Sequence, residues 1–328
     1  MKTNIQIPQI ILPFLIGMFF YMEHSAFAGP LRDKIMEHRL EQQQEEMFDA
    51  AGSSSDNSSL PTGVRIIKDF PFGSDARQRM DIYLPAHATG APVLLMVHGG
   101  GWRRGDKAMS NVVQNKVARW VPKGFIFISI NYRMLPSTDP LQQADDVVRA
   151  LAVAQSNAAT WGGDASKFIL VGHSAGAHLV GLVAAEPSKA LQSGARPWLG
   201  TIALDSAALD VVQIMERKHY RLYDQAFGKD MTYWKSVSPI HRLTAGAMPI
   251  MAVCSSTRAD KPCLQAHNFA DKAGSLGVRV SVSEQMLTHK EINQNLGLQG
   301  TYTNAVEAFM GSLDDSVKKT LMNGTSIH

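Results

Sequence analysis

The chain has 328 residues, 45% of them hydrophobic and 19% charged, which excludes a disordered polypeptide and is ample for one large core or two small ones. Its formal net charge of +3 comes without any dense cluster of Lys and Arg interleaved with aromatics, so nucleic-acid binding has no electrostatic footprint here.

A cationic start at Lys2, an apolar run over 10–22 and Ala26, Phe27 and Ala28 ahead of Gly29 have the layout of a secretory signal with an Ala-x-Ala cleavage site. The run is short for a bilayer span, so cleavage before Gly29 and export to a periplasm or the outside are expected, with an uncleaved anchor as the alternative. No cysteine follows the run to carry a lipid. In segment 29–60, Leu31, Ile35, Leu40 and Met47 fall loosely at helical spacing among Glu, Gln, Arg and Lys, and serine-rich 53–59 follows. This predicts a solvated helix and a flexible linker, or less simply a lid. The folded domain is expected over 61–315, with a C-terminal tail over 316–328.

From residue 61 onward strand-like and helix-like patterns alternate. Residues 81–85 read as a short strand, and 93–97 is a continuous apolar run of the kind that a strand buried on both faces shows. Further strands are expected at 125–130, 168–171, 201–204, 250–253 and 278–282, with helices at 144–154, 265–273 and 305–313. Such alternation predicts an α/β fold, a mostly parallel central sheet with helices on both faces. The strict alternation in 278–282 marks that strand as a half-exposed edge.

In such a sheet, reactive groups belong just past the carboxyl ends of strands. Residues 168–171 run into Gly172-x-Ser174-x-Gly176 and then a helical pattern, a strand-turn-helix that would lift the Ser174 hydroxyl onto a sharp elbow. The strand at 93–97 runs into His98, Gly99, Gly100, Gly101 and Trp102. Consecutive glycines there let backbone N–H groups converge on one small volume, as an oxyanion requires, and Gly100, Gly101 and the amide of Ala175 are the expected donors.

A serine hydroxyl needs a base to take its proton, and an imidazole is the usual one. Of 11 histidines, His289 follows the last strand and precedes a helix-like stretch, which makes it the expected base. His241 and His267 are rivals, and His98, His173 and His178 read as structural. The acid that orients the base is expected at Asp260, in the loop after 250–253. Asp205, directly after 201–204, is the alternative, with Asp210 behind it.

With residues 81–85, His98 to Asp106, Asn131 to Arg133, Gly162 to Asp164, Gly172 to Leu179, Ser238, Pro239 and His289 in view, the chain resembles the alpha/beta-hydrolase superfamily. Within it, the likeness is to the esterase branch that groups hormone-sensitive-lipase-like enzymes, feruloyl and acetyl-xylan esterases and kynurenine formamidases. The resemblance runs over 64–313. It implies an alpha/beta-hydrolase fold with a small cap or none, nucleophile Ser174, base His289, acid Asp260, and oxyanion donors Gly100, Gly101 and Ala175. Where family members approach the acid through Gly-x-x-Asp and a longer spacer, this chain has Thr257, Arg258 and Ala259 before Asp260, then Lys261 and Pro262.

The implied activity is that of a serine carboxylesterase on small to medium acyl or aryl esters through an acyl-enzyme, with no metal or organic cofactor. A formamidase or amidase on the same triad is the second reading, and a non-catalytic binding protein on the same fold the third. Small-molecule esters are the expected partners, with no membrane span in the mature chain. Region 207–243 carries Met215, Tyr220, Tyr223, Phe227, Tyr233 and Trp234, expected either as pocket lining or as core. Cys254 and Cys263 bracket the loop of Asp260. In an exported protein they are expected to pair as a disulfide, with two unrelated thiols as the alternative.

Overall fold

A computed structural model describes residues 60–206 and 208–323. Eight strands form one sheet: β1 (Arg65–Pro71), β2 (Arg79–Leu84), β3 (Ala91–Val97), β4 (Ile126–Ile130), β5 (Gly163–His173), β6 (Gly200–Leu204), β7 (Ile250–Ser255) and β8 (Val280–Gln285). Their order is β1-β2-β4-β3-β5-β6-β7-β8. The β1/β2 and β2/β4 pairs are antiparallel, and every pair from β4 to β8 is parallel. In register, Leu95 lies between Ile128 and Leu170, and Ile202 between Val171 and Met251.

The helices are α1 (Ser110–Trp120), α2 (Pro140–Asn157), α3 (Ala175–Ala185), α4 (Ser188–Gln192), α5 (Val211–Met215), α6 (Arg221–Phe227), α7 (Met231–Ser236), α8 (Pro239–Arg242), α9 (Pro262–Ser275), α10 (His289–Asn295), α11 (Thr301–Gly311) and α12 (Asp315–Met322). Because strand side chains alternate, β3 feeds two separate cores. Val93, Leu95 and Val97 pack with Leu151 of α2, Leu179 of α3 and Phe269 of α9, while Leu94 and Met96 pack with Val117 of α1 and Phe309 of α11. Two covered faces explain the unbroken apolar run at 93–97: no position of β3 meets water.

The edges read differently. β8 is the sheet's edge, as its alternation predicts, and lies over Val280–Gln285, a little later than the pattern indicates. β1, the other edge, was not expected, because five of its seven residues are exposed and Lys68 and Asp69 interrupt its apolar residues. The tail expected from 316 is instead helix α12. Asp314 caps it by accepting from the Ser316 and Val317 N–H groups, and Val317 and Leu321 are buried in the second core, so the packed domain extends to the helix end. The expected signal segment and the helical and linker segment of 29–59 lie outside the described residues.

Candidate active site

Ser174 sits between β5 and α3 with φ 55° and ψ −118°, a conformation that side-chain-bearing residues rarely adopt and that marks functional turns. Close backbone approach forces the glycines on both sides. A Cβ on Gly172 would fall 2.3 Å from the Gly176 carbonyl oxygen, and one on Gly176 would fall 2.2 Å from that of Val97. The turn is pinned to the next strand by the Ser174 N–H donating to the Leu204 carbonyl at 2.9 Å.

His289 opens α10, just after Thr288, whose side chain accepts from the Glu291 N–H while the Glu291 carboxylate accepts from the Thr288 N–H. That capping box fixes where the imidazole starts. The His173 Nε2 lies 3.0 Å from the His289 carbonyl oxygen and the two rings 4.5 Å apart, which sets His289 beside the elbow. Its Nδ1 is 2.6 Å from Asp205 Oδ2, while its Nε2 is buried and has no hydrogen-bond partner among the described residues. A buried nitrogen without a partner is costly, and such groups concentrate where chemistry uses them.

The carboxylate on His289 is therefore Asp205 and not Asp260. Asp205 leaves β6 with φ 56°, is fully buried, and takes the Ser255 N–H on Oδ1 at 2.7 Å. Asp260 is held by Arg258 instead, Nε to Oδ1 at 2.9 Å and Nη2 to Oδ2 at 2.5 Å. Arg258 stands between the two carboxylates: its Nη1 lies 2.8 Å from Asp205 Oδ2 and 3.0 Å from His289 Nδ1. Sequence reasoning missed this residue. Its only signal was a basic side chain two positions before the expected acid. Asp210 caps α5 by accepting from the Gln213 N–H.

The electrostatics follow from this packing. Burial pushes the Asp205 carboxyl up, but Arg258 and His289 outweigh it and hold Asp205 well below the usual carboxylate range. Burial and then the Arg258 guanidinium lower His289 below the ordinary histidine value, against the opposing pull of Asp205 and Asp260. The other histidines near the elbow are structural. His98 stacks on Tyr132, and His178 accepts from the Trp102 indole N–H and pairs through Nε2 with the Val237 carbonyl. Burial pushes both down to about 4. His241 and His267 pair with Asp210 and Glu284.

Around Ser174, Gly101, Trp102, Ala175, Leu222, Tyr223 and Arg258 border a cavity of about 20 Å³. Among the described residues, the N–H groups of Gly100, Gly101 and Ala175 donate to no protein acceptor. Gly101 and Ala175 border the cavity; Gly100 does not, and has φ 118° with the Arg104 carbonyl oxygen 2.2 Å from where a Cβ would be. Of the aromatic region, Tyr223 reaches the cavity, Tyr220 and Phe227 are core, and Met215, Tyr233 and Trp234 pack partly buried against that core. A larger groove, about 610 Å³, is bordered by Lys68, Tyr83, Val113 and Asn115 and by none of the residues around Ser174. The sulfurs of Cys254 and Cys263 are bonded, 2.10 Å apart, closing the segment that carries Arg258 and Asp260. Among the described residues, no helix is long and apolar enough to cross a membrane, and no group of three or more His, Cys, Asp or Glu is placed to hold a metal ion.

The BD-FAE family model matches residues 80–272, more than half of the chain. Esterase LipQ of Mycobacterium tuberculosis is 30% identical over 217 residues, covering 62% of this chain and 51% of that protein. Esterase LipC of the same organism is 26% identical over 218 residues, covering 61% and 53%. A probable isoprenylcysteine alpha-carbonyl methylesterase of Oryza sativa is 32% identical over 116 residues, 35% of this chain and 27% of that protein. The chain thus spans about half, or less, of the length of these curated relatives. Among solved structures, esterase B of Lactobacillus rhamnosis superposes with a TM-score of 0.67 at 17% identity, over 88% of this chain and 97% of that one. Esterase 2 of Thermogutta terrifontis, phosphonylated by sarin, does so at 0.63 and 18%, over 78% and 96%. At such identities the likeness is one of fold, and that fold is the alpha/beta hydrolase.

Proposed function

Since the chain belongs to the BD-FAE family of alpha/beta-hydrolase esterases, we propose that it is a serine carboxylesterase, cleaving small to medium acyl or aryl esters through an acyl-enzyme. The observation that carries the reading is the 2.6 Å contact of His289 Nδ1 with buried Asp205, with Nε2 left buried and unpartnered beside the serine elbow. Nδ1–H donating to Asp205 leaves the Nε2 lone pair as the base. Nε2 takes the Ser174 proton as Oγ attacks the ester carbonyl, and the amides of Gly101 and Ala175, with Gly100 behind them, receive the oxyanion. The imidazolium then returns the proton to the leaving alcohol. Water attacks the acyl-enzyme by the same route and frees the acid. Asp205 is the acid of this triad.

A cavity of about 20 Å³ beside the nucleophile is little more than one water's worth of space, which favours short acyl groups. The same feature keeps a formamide substrate as the second reading, since a formyl group is the smallest acyl of all. The named esterase relatives support ester over formamide. Export through residues 1–28 belongs to the proposal, and a disulfide between Cys254 and Cys263 fits an oxidising compartment. The experiment is a panel of p-nitrophenyl esters alongside N-formylkynurenine, run on the wild type and on Ser174→Ala. Hydrolysis of acetate and propionate esters, lost with the Ser174 hydroxyl, is expected. A serine-to-alanine variant as active as its parent would sink the reading.

A further inference from the structure

We propose that Arg258 is a positioning residue for His289: anchored on Asp260 by its fork, its guanidinium fixes the imidazole against Asp205 and balances the charge beside the ring. The inference rests on the serine-esterase reading and adds to it a part outside the triad.

The geometry is that of a four-group cluster. Arg258 uses Nε and Nη2 on the two oxygens of Asp260 and turns Nη1 toward the Asp205 carbonyl at 3.0 Å, Asp205 Oδ2 at 2.8 Å and His289 Nδ1 at 3.0 Å. The Arg258 and His289 side chains are each 6% exposed, Asp205 is not exposed at all, and Asp260 is 15% exposed, so water screens little of this. Burial works against the guanidinium's charge, and Asp205 and Asp260 more than restore it. A planar fork held at both ends is stiff, which a single ammonium would not be.

Two consequences follow. Nδ1 has one site for either a proton or a lone pair. When it donates to Asp205, the same carboxylate oxygen also takes Nη1–H, so the ring and the guanidinium are held by one acceptor and cannot move apart independently. In charge, the two carboxylates and the guanidinium leave one net negative charge facing a neutral imidazole, and the cluster becomes neutral when His289 takes the serine proton. Asp260 is thus the counter-ion that lets a cation stand beside a base. Without it Arg258 would oppose the imidazolium outright.

The other titratable groups around the cluster come from four further elements. His173, at the end of β5, is kept neutral by burial. Lys116 of α1 donates to the Asn293 carbonyl, and Tyr302 of α11 to the Ile292 carbonyl. Tyr223 of α6 faces Arg258 and Asp260. None of these touches Nδ1; Arg258 does.

The test is the pH profile of kcat/KM for p-nitrophenyl acetate. Arg258→Gln should move the acid limb up by about one pH unit, the size expected when a charge within about 4–6 Å is removed. It should also lower kcat at least tenfold with little change in KM. Arg258→Lys keeps the charge but not the fork, so its limb should stay near the wild-type midpoint while kcat remains reduced. Asp260→Asn should move the limb down. The ring can also be titrated by NMR in Ser174→Ala, with and without Arg258→Gln, which needs no turnover and so separates failure of this inference from failure of the esterase reading. In Ser174→Ala the midpoint should lie below 6.5. If it lies at or above 6.5, or if the glutamine variant leaves limb and ring midpoint unmoved, the inference is overturned.

Discussion

Asp205 and Asp260 both follow a sheet strand by a few residues, and at the level of single residues nothing in their types tells them apart. What separates them is the backbone. Asp205 comes directly off β6 at φ 56°, its N–H tied to the Val253 carbonyl at 2.7 Å, which turns the side chain inward, while Asp260 meets a guanidinium before it can meet an imidazole. A left-handed turn at one aspartate and an intervening arginine are tertiary facts, which is why the expected pairing of His289 with Asp260 differs from its observed contact with Asp205, although motif and chain order singled out Ser174 and His289. Replacing Asp205 with Asn should lower kcat by about 10⁴-fold, because the amide favours the wrong imidazole tautomer. Asp260→Asn, which loosens the anchor of Arg258 but leaves the carboxylate on His289 in place, should cost far less at pH 8. Comparable losses in the two variants would contradict the assignment.

At the scale of elements, what could be read was set by burial. β3, β4 and the buried second half of β5 announced themselves as apolar runs; α2 was expected only over 144–154, and it starts earlier, at Pro140, where the Asp139 and Gln142 capping box sets its first turn. β1 and α12 did not, the first because it is mostly exposed and the second because only Val317 and Leu321 of its eight residues are buried. The disulfide is an element-scale constraint of its own. With its cysteines nine positions apart along the chain, it should contribute roughly 2 to 3 kcal/mol by loop-closure entropy. Urea unfolding of a Cys254→Ala, Cys263→Ala double variant should fall short of the wild type by about that amount. Equal midpoints would mean that the bond does not constrain the unfolded chain.

For the molecule as a whole, the buried histidines make acid stability a global property. His98 and His178 are pushed down to about 4 in the fold and regain the ordinary value of about 6.5 when the chain unfolds. Between those values the unfolded chain binds protons that the native one does not, so stability is full above about 6.5 and is lost as pH falls toward 4. Thermal melts should therefore drop steadily over that window. A Tm independent of pH from 7 to 4 would show that burial of these rings does not set it. The parallel sheet itself was foreseen from strand-helix alternation, whereas the division of region 207–243 between core and cavity depended on how its short helices settle over Trp102, which no local pattern encodes.

β5, β6 and β7 are hydrogen-bonded neighbours in the sheet, so Ser174, Asp205 and the Arg258 segment leave it from adjacent rungs, spaced about 5 Å apart whatever the length of chain between them. The proposed nucleophile, acid and positioning arginine are fixed across the sheet, and the connections at 208–249 and 261–279 run over it. Those crossovers can lengthen, shorten or repack without displacing a reacting atom. A lineage on this scaffold is therefore free to explore new alcohols and acids by rewriting its loops, while the step that breaks the bond stays as it is.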